Sequence, residues 1–282
     1  MKKNNVTTIL LMIIFLVGLS LLLYPTVSDY WNSLRQSQAV TSYADAVASL
    51  ETEDYTAFWE EAIAYNESLK GRNNNYLLSD AQKIQYDQML KVSSNGAMGY
   101  IEIPSIACTL PVYHGTDEKI LQIAIGHLEW TSLPVGGIGS HCVLSGHRGL
   151  PGAKLFTNLD KLVVGDVFML KVLNEVLTYE VDHIAIVEPD KAELLHIDET
   201  QDYCTLVTCT PYGINSHRLL VRGHRIENSA MESTARVTAD AMQIEPMMVA
   251  AIVAVPMIIL FMVILFLSDR KKNGGTQDDE DE

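Results

Sequence analysis

Two long apolar runs lie near the two ends of the chain. The first reads TILLMIIFLVGLSLLLY from Thr8 to Tyr24, and the second reads MMVAAIVAVPMIILFMVILFL from Met247 to Leu267. Because a helix needs about 20 mostly apolar residues to cross a bilayer, the pattern predicts transmembrane helices over residues 8–27 and 246–268. Pro256 in the second run is tolerated inside a membrane helix, where it can introduce a kink.

The charges that flank these runs predict how the chain is oriented. Lys2 and Lys3 precede the first run, and three cationic residues at 270–272 follow the second. Cationic flanks stay in the cytoplasm, so the segments 1–7 and 269–282 are expected inside the cell and the region between the spans outside it. A cleaved signal peptide is the alternative for the first run. That run is long for a signal core, however, and YPTVSDYW, where it ends, holds no small-x-small cleavage site.

Between the spans, the apolar pattern first has the period of a helix. Residues 28–97 form this N-terminal region. Apolar and aromatic side chains recur at helical spacing across residues 30–70, which predicts two amphipathic helices. A polar joint, GRNNN, follows at 71–75, and residues 76–97 are expected to be loosely structured or helical.

From residue 98 the apolar pattern becomes that of short β-strands with Gly and Pro between them. The β-type runs are YIEIP (100–104), CTLPVY (108–113), HCVLSG (141–146), VFMLKVL (167–173), LTYEVDHIAIV (177–187), CTLVTC (204–209) and RLLVRGHRI (218–226). Short helical pieces are expected around 118–127 and 155–162, and a polar stalk over 227–245. Many short strands with few helices predict a mainly β fold, either a closed barrel or a sandwich.

Composition narrows the function classes. The formal net charge of −15 argues against nucleic acid as a partner, because phosphate binding needs a basic face. Part of that charge lies in the tail QDDEDE at 277–282, which is expected to be solvated. The chain has four cysteines, but no CxxC motif or His/Cys cluster has zinc-site spacing. Neither a metal nor another cofactor is therefore expected.

The stretch TLVTCTPYGINSHRLLVRG at 205–223 carries the candidate chemistry. Cys209 ends one predicted strand and Arg218 begins the next, so an antiparallel return brings the thiol and the guanidinium to the same end of a hairpin. A thiol can attack a carbonyl group while a fixed cation stabilises the negative charge that develops. Arginine cannot act as the base, and His147, in the strand-end sequence GHRG, is the best placed histidine. His217 is expected to face the opposite side from Arg218.

Several motifs resemble those of one enzyme family. TLVTC, which ends at Cys209, resembles the TLxTC signature of sortases, the membrane-anchored cysteine transpeptidases of Gram-positive bacteria. The segments similar to the class C, pilus-assembling branch are MGYIEIPSI (98–106), LPVYHGTDE (110–118), IGHLEWTSLPVGG (125–137), VLSGHRGLPGAKLFTNLDKL (143–162), GDVF (165–168) and TCTPYGINSHRLLVRG (208–223). The two terminal spans resemble that branch too. The resemblance covers roughly residues 98–226, which we take as the catalytic domain.

The resemblance implies a fold and a catalytic triad. The fold would be an eight-stranded closed β-barrel, and the triad would be Cys209, His147 and Arg218. Cys209 would attack the Thr–Gly bond of a Leu-Pro-x-Thr-Gly-like sorting signal and form a thioacyl enzyme. His147 would protonate the leaving amine and later deprotonate the incoming one, while Arg218 would hold the substrate oxygen. The acceptor would be a lysine of a neighbouring pilin, so pilin subunits and the membrane are the expected partners.

The resemblance also implies supporting residues. Thr208 is expected to shape the oxyanion site, and Thr131 and Ser132 are expected to lie near the sorting-signal groove. Pilus sortases commonly have a lid with an Asp-Pro-aromatic or Asp-Ser-aromatic motif. Here YLLSDAQKIQYDQML (76–90) has Asp80 followed by Ala and Gln, so Asp80 is only a weak lid residue. A degenerate lid, or none, is expected, with no ring from this segment stacked on the thiol.

A repeated spacing links the other cysteines to the site. Cys142 lies five residues before His147, and Cys204 lies five residues before Cys209. If the two strands run parallel and adjacent, Cys142 and Cys204 are lateral neighbours on the face opposite their catalytic partners. Parallel strand pairs suit disulfide geometry poorly, so an unbridged pair is expected.

Three alternatives stay open at the level of the sequence. One is a sortase that anchors surface proteins to the cell wall, with a cell-wall precursor as its partner. Another is a non-catalytic membrane-anchored surface protein in which Cys209 is structural, since a cysteine in an apolar strand is often simply buried. The third is a papain-like hydrolase, although the chain lacks that family's cysteine context.

Overall fold

The structure is a computed structural model that describes residues 2–71 and 78–228, with side chains from residue 10 onward. The predicted span at 246–268 and the acidic tail at 269–282 lie outside the described residues. Among the described helices, α1 (Lys2–Ala48) alone is long and apolar enough to cross a membrane. Its most apolar stretch has a mean hydropathy of 2.4 and buries none of its residues. This apolar N-terminal helix indicates membrane anchoring, as predicted.

The later part of α1 and the next two helices pack against a β-sheet domain. The Tyr43 hydroxyl of α1 donates to the Met98 carbonyl (3.1 Å) and accepts from the Leu173 amide (2.8 Å). Helix α2 (Thr52–Leu69) is held by Asn66, which exchanges two hydrogen bonds with the Leu133 backbone (3.1 and 2.7 Å). Helix α3 (Asp80–Tyr86) begins with a capping box between Ser79 and Gln82, which satisfies backbone amides at its start. The two helices predicted within 30–70 are thus present.

Eight strands form the domain. They are β1 (Ala97–Ile103), β2 (Cys108–His114), β3 (Ile125–His127), β4 (Ser140–Ser145), β5 (Val167–Val172), β6 (Glu175–Val187), β7 (Asp202–Thr210) and β8 (His217–Ile226). They close into a barrel in the order β1-β2-β3-β4-β7-β8-β6-β5. The predicted mainly β fold with an eight-stranded closed barrel is confirmed.

The structure corrects both of the short helices that the sequence predicts within the barrel domain. The piece expected at 118–127 is helical only in α4 (Glu118–Leu121), and its end is the strand β3, which pairs in parallel with β2. A strand of three residues is too short for an alternating pattern to reveal it. Gly126 also permits this pairing, because a Cβ there would collide with the Gly115 carbonyl oxygen. The piece expected at 155–162 is a single 3-10 turn, Leu159–Lys161.

Side chains on each strand alternate between the barrel interior and the outer surface. The interior is filled by fully buried residues that include Ile101, Leu144, Phe168, Tyr179, Leu206 and Val221. A smaller cluster lies on the outer face, where Val143 and Leu220 pack with Leu195. Neighbouring residues of one strand therefore pack into two different clusters, one inside the barrel and one on its outer face.

Three neighbouring strands set the geometry of the candidate site. Strand β4 runs parallel to β7, and β7 runs antiparallel to β8. In the β4–β7 pair, Cys142 is the register partner of Cys204, as predicted, and the two residues are 2% and 0% exposed. All four cysteines are free thiols, which agrees with the expectation of an unbridged pair.

Candidate active site

Cys209 and Arg218 face each other across the β7–β8 hairpin. They are register partners in the antiparallel pairing, one residue from the end of β7 and one residue from the start of β8. Thr208 and Thr210 on either side of Cys209 are buried (1% and 8% exposed), whereas Cys209 is half-buried. Since alternate residues share a face, Cys209 lies on the outer face of the barrel.

The arginine is held by its own turn. Its Nη1 donates to the backbone carbonyls of Asn215 (3.3 Å) and His217 (3.2 Å). The side chain is half-buried and shares the outer face with Leu220, two residues further along β8. A guanidinium has five N–H donors, so these two bonds leave donors for another group.

His147 lies beside the end of β7. The residue before it, Gly146, donates from its amide to the Val207 carbonyl (3.0 Å), and its carbonyl accepts from the Thr208 hydroxyl (2.7 Å). The two strands therefore stay paired up to the residue that precedes His147. The structure thus brings His147, Cys209 and Arg218 to one end of the barrel wall.

The imidazole of His147 has a carboxylate neighbour that is distant from it in the sequence. Its Nε2 lies 3.5 Å from Oε2 of Glu118, at the start of α4. The His147 side chain is 25% exposed, and Nε2 forms no hydrogen bond within the described part of the chain. Glu118 is the last residue of the motif LPVYHGTDE, so a sequence signal existed, but spacing alone could not link it to His147.

Thr131 and Ser132 lie along β4, several residues before His147. The Thr131 hydroxyl donates to the Leu128 carbonyl (2.7 Å) and accepts from the Val143 amide (3.2 Å). The Ser132 hydroxyl accepts from the His141 amide (3.1 Å). Both residues are buried (2% and 0% exposed). Their hydroxyls thus satisfy the free backbone edge of β4, and contact with a substrate stays a prediction.

The four thiols have different surroundings. Burial raises the pKa of the Cys108 thiol to about 12, and burial also raises the pKa of the Cys204 thiol well above its ordinary value. Cys142 lies in the barrel interior beside Cys204. The thiolate is the nucleophilic form of cysteine, so the half-exposed Cys209 on the outer face is the cysteine best placed to react.

An apolar strip leads along the outer face to Cys209. Val207 lies on the same face of β7, two residues before the cysteine, and packs on the cluster of Val143, Leu195 and Leu220. Leu128, Trp130 and Val187 pack on the same cluster. Its partly exposed members, such as Val187 and Val207, can contact apolar side chains of an extended ligand beside the thiol.

The predicted lid segment packs elsewhere over residues 78–90. Tyr86, its one aromatic residue, is fully buried and bonds to His127 Nδ1 (2.9 Å) and to the Gly115 amide (3.0 Å). Lys83 of the same helix pairs with Glu129 at 2.5 Å. Asp80 is exposed at the start of α3. Residues 72–77 lie outside the described residues, so the degenerate lid stays a prediction.

The loop after His147 carries a second set of polar contacts. Arg148 forms an ion pair with Asp160, and its guanidinium carbon lies 5.8 Å from the ring centre of Tyr212. From α1, Asn32 Nδ2 donates to the Gly152 carbonyl (2.6 Å), and the Lys154 amide donates to Asp29 Oδ1 (2.9 Å). No local pattern in the sequence indicates that α1 holds this loop.

A half-exposed thiol opposite a guanidinium, with an imidazole at the neighbouring strand end, is the arrangement of an acyl-transferring cysteine enzyme. Comparison with known proteins agrees with this class. The sortase domain family matches residues 101–226. Sortase D of Bacillus subtilis is 30% identical over 139 residues, which cover 48% of this chain and 67% of that protein.

Solved structures give closer similarities. The crystal structure of sortase C1 from Streptococcus agalactiae has a TM-score of 0.67 and 48% identity, covering 68% of this chain and 100% of that one. Streptococcus pneumoniae sortase C has a TM-score of 0.62 and 46% identity, covering 68% and 98% of the two chains. The chain belongs to the sortase family, its structural neighbours are class C sortases, and it is a cysteine transpeptidase.

Proposed function

We propose that the chain is a pilus-assembling transpeptidase. It cleaves a Leu-Pro-x-Thr-Gly-like sorting signal between Thr and Gly and transfers the acyl group to a lysine of another pilin. The register pairing of Cys209 with Arg218, with His147 at the neighbouring strand end, is the observation that supports this most strongly. The class C structural neighbours support the same branch.

In the first half-reaction the Cys209 sulfur attacks the carbonyl carbon of the signal's threonine. The thiol proton passes to His147, and a guanidinium N–H of Arg218 donates to the oxygen on which negative charge develops. His147 then gives a proton to the amine of the departing glycine as the C–N bond breaks. A thioester on Cys209 and a free amine result.

In the second half-reaction a lysine ε-amine attacks the thioester carbonyl. His147 accepts a proton from the amine, and the C–S bond breaks as the new amide bond forms. The sulfur leaves as a thiolate and is protonated. One peptide bond is exchanged for one isopeptide bond, so the reaction needs no nucleotide hydrolysis.

The outer apolar strip gives the sorting signal a place to bind. Its leucine and proline side chains pack on the partly exposed Val187 and Val207, which places the following threonine beside Cys209. Thr208 acts through the backbone, because its hydroxyl fixes the Gly146 carbonyl and so the position of His147. Thr131 and Ser132 support the groove by holding β4.

The proposed cellular arrangement follows from the charges at the chain ends. The N-terminal apolar helix anchors the enzyme, and both termini lie in the cytoplasm, with the catalytic barrel outside the cell. The second span at 246–268 is part of this proposal. Such a placement brings the thiol to the surface where exported pilins emerge.

Incubation of the full-length enzyme in detergent with a purified pilin that carries a sorting signal tests the proposal. We expect a ladder of covalent pilin multimers on denaturing gels. Cys209→Ala should abolish the ladder, whereas Cys108→Ala, which removes another half-buried thiol, should retain it. Transfer to a cell-wall precursor without a ladder would support the wall-anchoring sortase instead. Retention of the ladder by Cys209→Ala would contradict the proposal.

A further inference from the structure

A cavity of about 700 Å³ opens at the end of the barrel where Cys209 lies. Its walls include Arg148, Asp160, Ile184, Ile186, Tyr212 and Leu219. Arg148 follows His147 in the chain, and Leu219 follows Arg218. The cavity is therefore lined by the immediate neighbours of the candidate triad.

The cavity lies on the other side of the barrel wall from the thiol. Ile186 is the register partner of Leu219, which is 5% exposed and belongs to the interior core. Residues opposite each other in an antiparallel pair share a face, so Ile186 also faces inward, yet it is 63% exposed. The barrel mouth is thus open here, and only the ends of the strands separate it from Cys209.

Arg148 in the cavity wall has an unused hydrogen-bond donor. Its side chain is 10% exposed, its guanidinium pairs with Asp160, and its Nε is buried without a partner among the described residues. A buried donor without an acceptor is unfavourable. A peptide carbonyl in the cavity would satisfy it.

Asp160 gives the cavity a negative charge at its rim. Its carboxylate is 43% exposed despite the ion pair with Arg148, and a carboxylate can accept more hydrogen bonds than one partner donates. Ile184, Ile186 and Leu219 supply an apolar wall beside it. A lysine has this combination of an apolar stem and an ammonium head.

We propose that this cavity is the docking site for the lysine-bearing segment of the acceptor protein, an inference that rests on the proposed function. The acceptor backbone bonds to Arg148 Nε, the lysine stem lies on the apolar wall, and Asp160 attracts the ammonium group. The flexible side chain then crosses the strand ends to the thioester, where the deprotonated amine displaces the sulfur. The sorting signal and the acceptor thus approach Cys209 from opposite faces of the wall.

The test measures how the thioester partitions between an amine and water. The full-length enzyme in detergent receives a peptide containing Leu-Pro-Ala-Thr-Gly and, as acceptor, either a lysine peptide with a blocked α-amine or hydroxylamine. Ile186→Arg adds a cation and removes an apolar contact at an exposed position. We expect it to lower the ratio of lysine-peptide product to hydrolysis product about tenfold. The hydroxylamine ratio should stay unchanged, because hydroxylamine has neither an apolar stem nor an ammonium group to bind in the cavity.

Two further variants sharpen the result. Ile138→Arg makes the same change at a residue that is 67% exposed and does not line the cavity. The thioester of this variant should partition between the amine and water as in the wild type. Asp160→Asn should also lower the lysine-peptide ratio, with less effect at high salt. Equal partitioning by Ile186→Arg and the wild type, or an equal loss with hydroxylamine, would overturn the docking site. Failure of the wild type to form a thioester would instead count against the proposed function itself.

Discussion

At the scale of single residues, the surroundings of each cysteine decide which thiol can react. Cys209 is half-buried on the outer face, whereas Cys142 and Cys204 lie inside the barrel. Cys108 is also only half-buried as a residue, but burial raises the pKa of its thiol to about 12. At neutral pH its thiolate is therefore scarce.

This difference predicts selective alkylation. Iodoacetamide at neutral pH should modify Cys209 at least about a hundredfold faster than any other cysteine, because alkylation needs an accessible thiolate. Peptide mapping by mass spectrometry after timed quenching measures the rates. Cys209→Ala should remove the fast phase, and its three remaining thiols should react fully only after denaturation. A fast label on Cys108 or Cys142 would contradict the assignment.

At the scale of elements, α1 also positions a loop of the barrel, in addition to its apolar N-terminal part. Within its later part, Asn32 and Asp29 bond to the backbone of the loop that follows His147. Gly152 in that loop is also crowded by Ser28, since a Cβ there would collide with the Ser28 hydroxyl. These contacts position the loop whose first residues carry the imidazole and the Arg148 guanidinium.

Loss of one such contact should loosen the loop. Asn32→Ala removes the bond to the Gly152 carbonyl and should destabilise the folded loop by about 1 kcal/mol, so trypsin should cleave after Arg148 or Lys154 several times faster. Ser33→Ala is the matched control, because the Ser33 hydroxyl bonds only within α1, to Tyr30. Unchanged cleavage in Asn32→Ala would show that α1 does not hold the loop.

The sequence predicted elements with long, clear periodicity and missed those set by tertiary contacts. The helices within 30–70 and seven runs of β character were readable, because each repeats its pattern over several residues. Strand β3 was not, since it is short and its pairing depends on the fit of Gly126 against Gly115. Cys209, His147 and Arg218 stand at strand ends marked by motifs, whereas Glu118 and Arg148 join the site through contacts that no local pattern encodes.

At the scale of the whole molecule, the half-buried His114 and the buried His141 link stability to pH. Burial lowers the pKa of His114 to about 4 and that of His141 to about 4, from an ordinary value of 6.5. Their neutral rings bond to the backbone carbonyls of Met89 (2.7 Å) and His196 (2.8 Å). In the unfolded chain both rings take up protons more readily than in the folded one. The stability that the two neutral rings contribute is therefore fully present above pH 6.5 and is lost as pH falls towards about 4.

The free energy of unfolding is expected to fall by roughly 3 kcal/mol for each histidine, from the difference between its pKa in the unfolded chain and in the folded one. Urea unfolding of the full-length protein in detergent at about pH 7.5 and pH 4.5 measures it. His114→Gln keeps a donor for the Met89 carbonyl and should reduce the difference between the two midpoints. Carboxylates of this acidic chain titrate in the same range, so the comparison with the wild type isolates the histidine. Identical pH sensitivity in both proteins would contradict the assignment.

The intact mass of the enzyme, quenched with acid during turnover of a Leu-Pro-Ala-Thr-Gly peptide, tests the proposed thioester mechanism most directly. We expect an adduct whose mass equals the peptide up to its threonine, located on Cys209 and released by hydroxylamine. The Cys209→Ala variant should keep its fold and carry no adduct. An adduct on another residue, or peptide cleavage by Cys209→Ala at the wild-type rate, would contradict it.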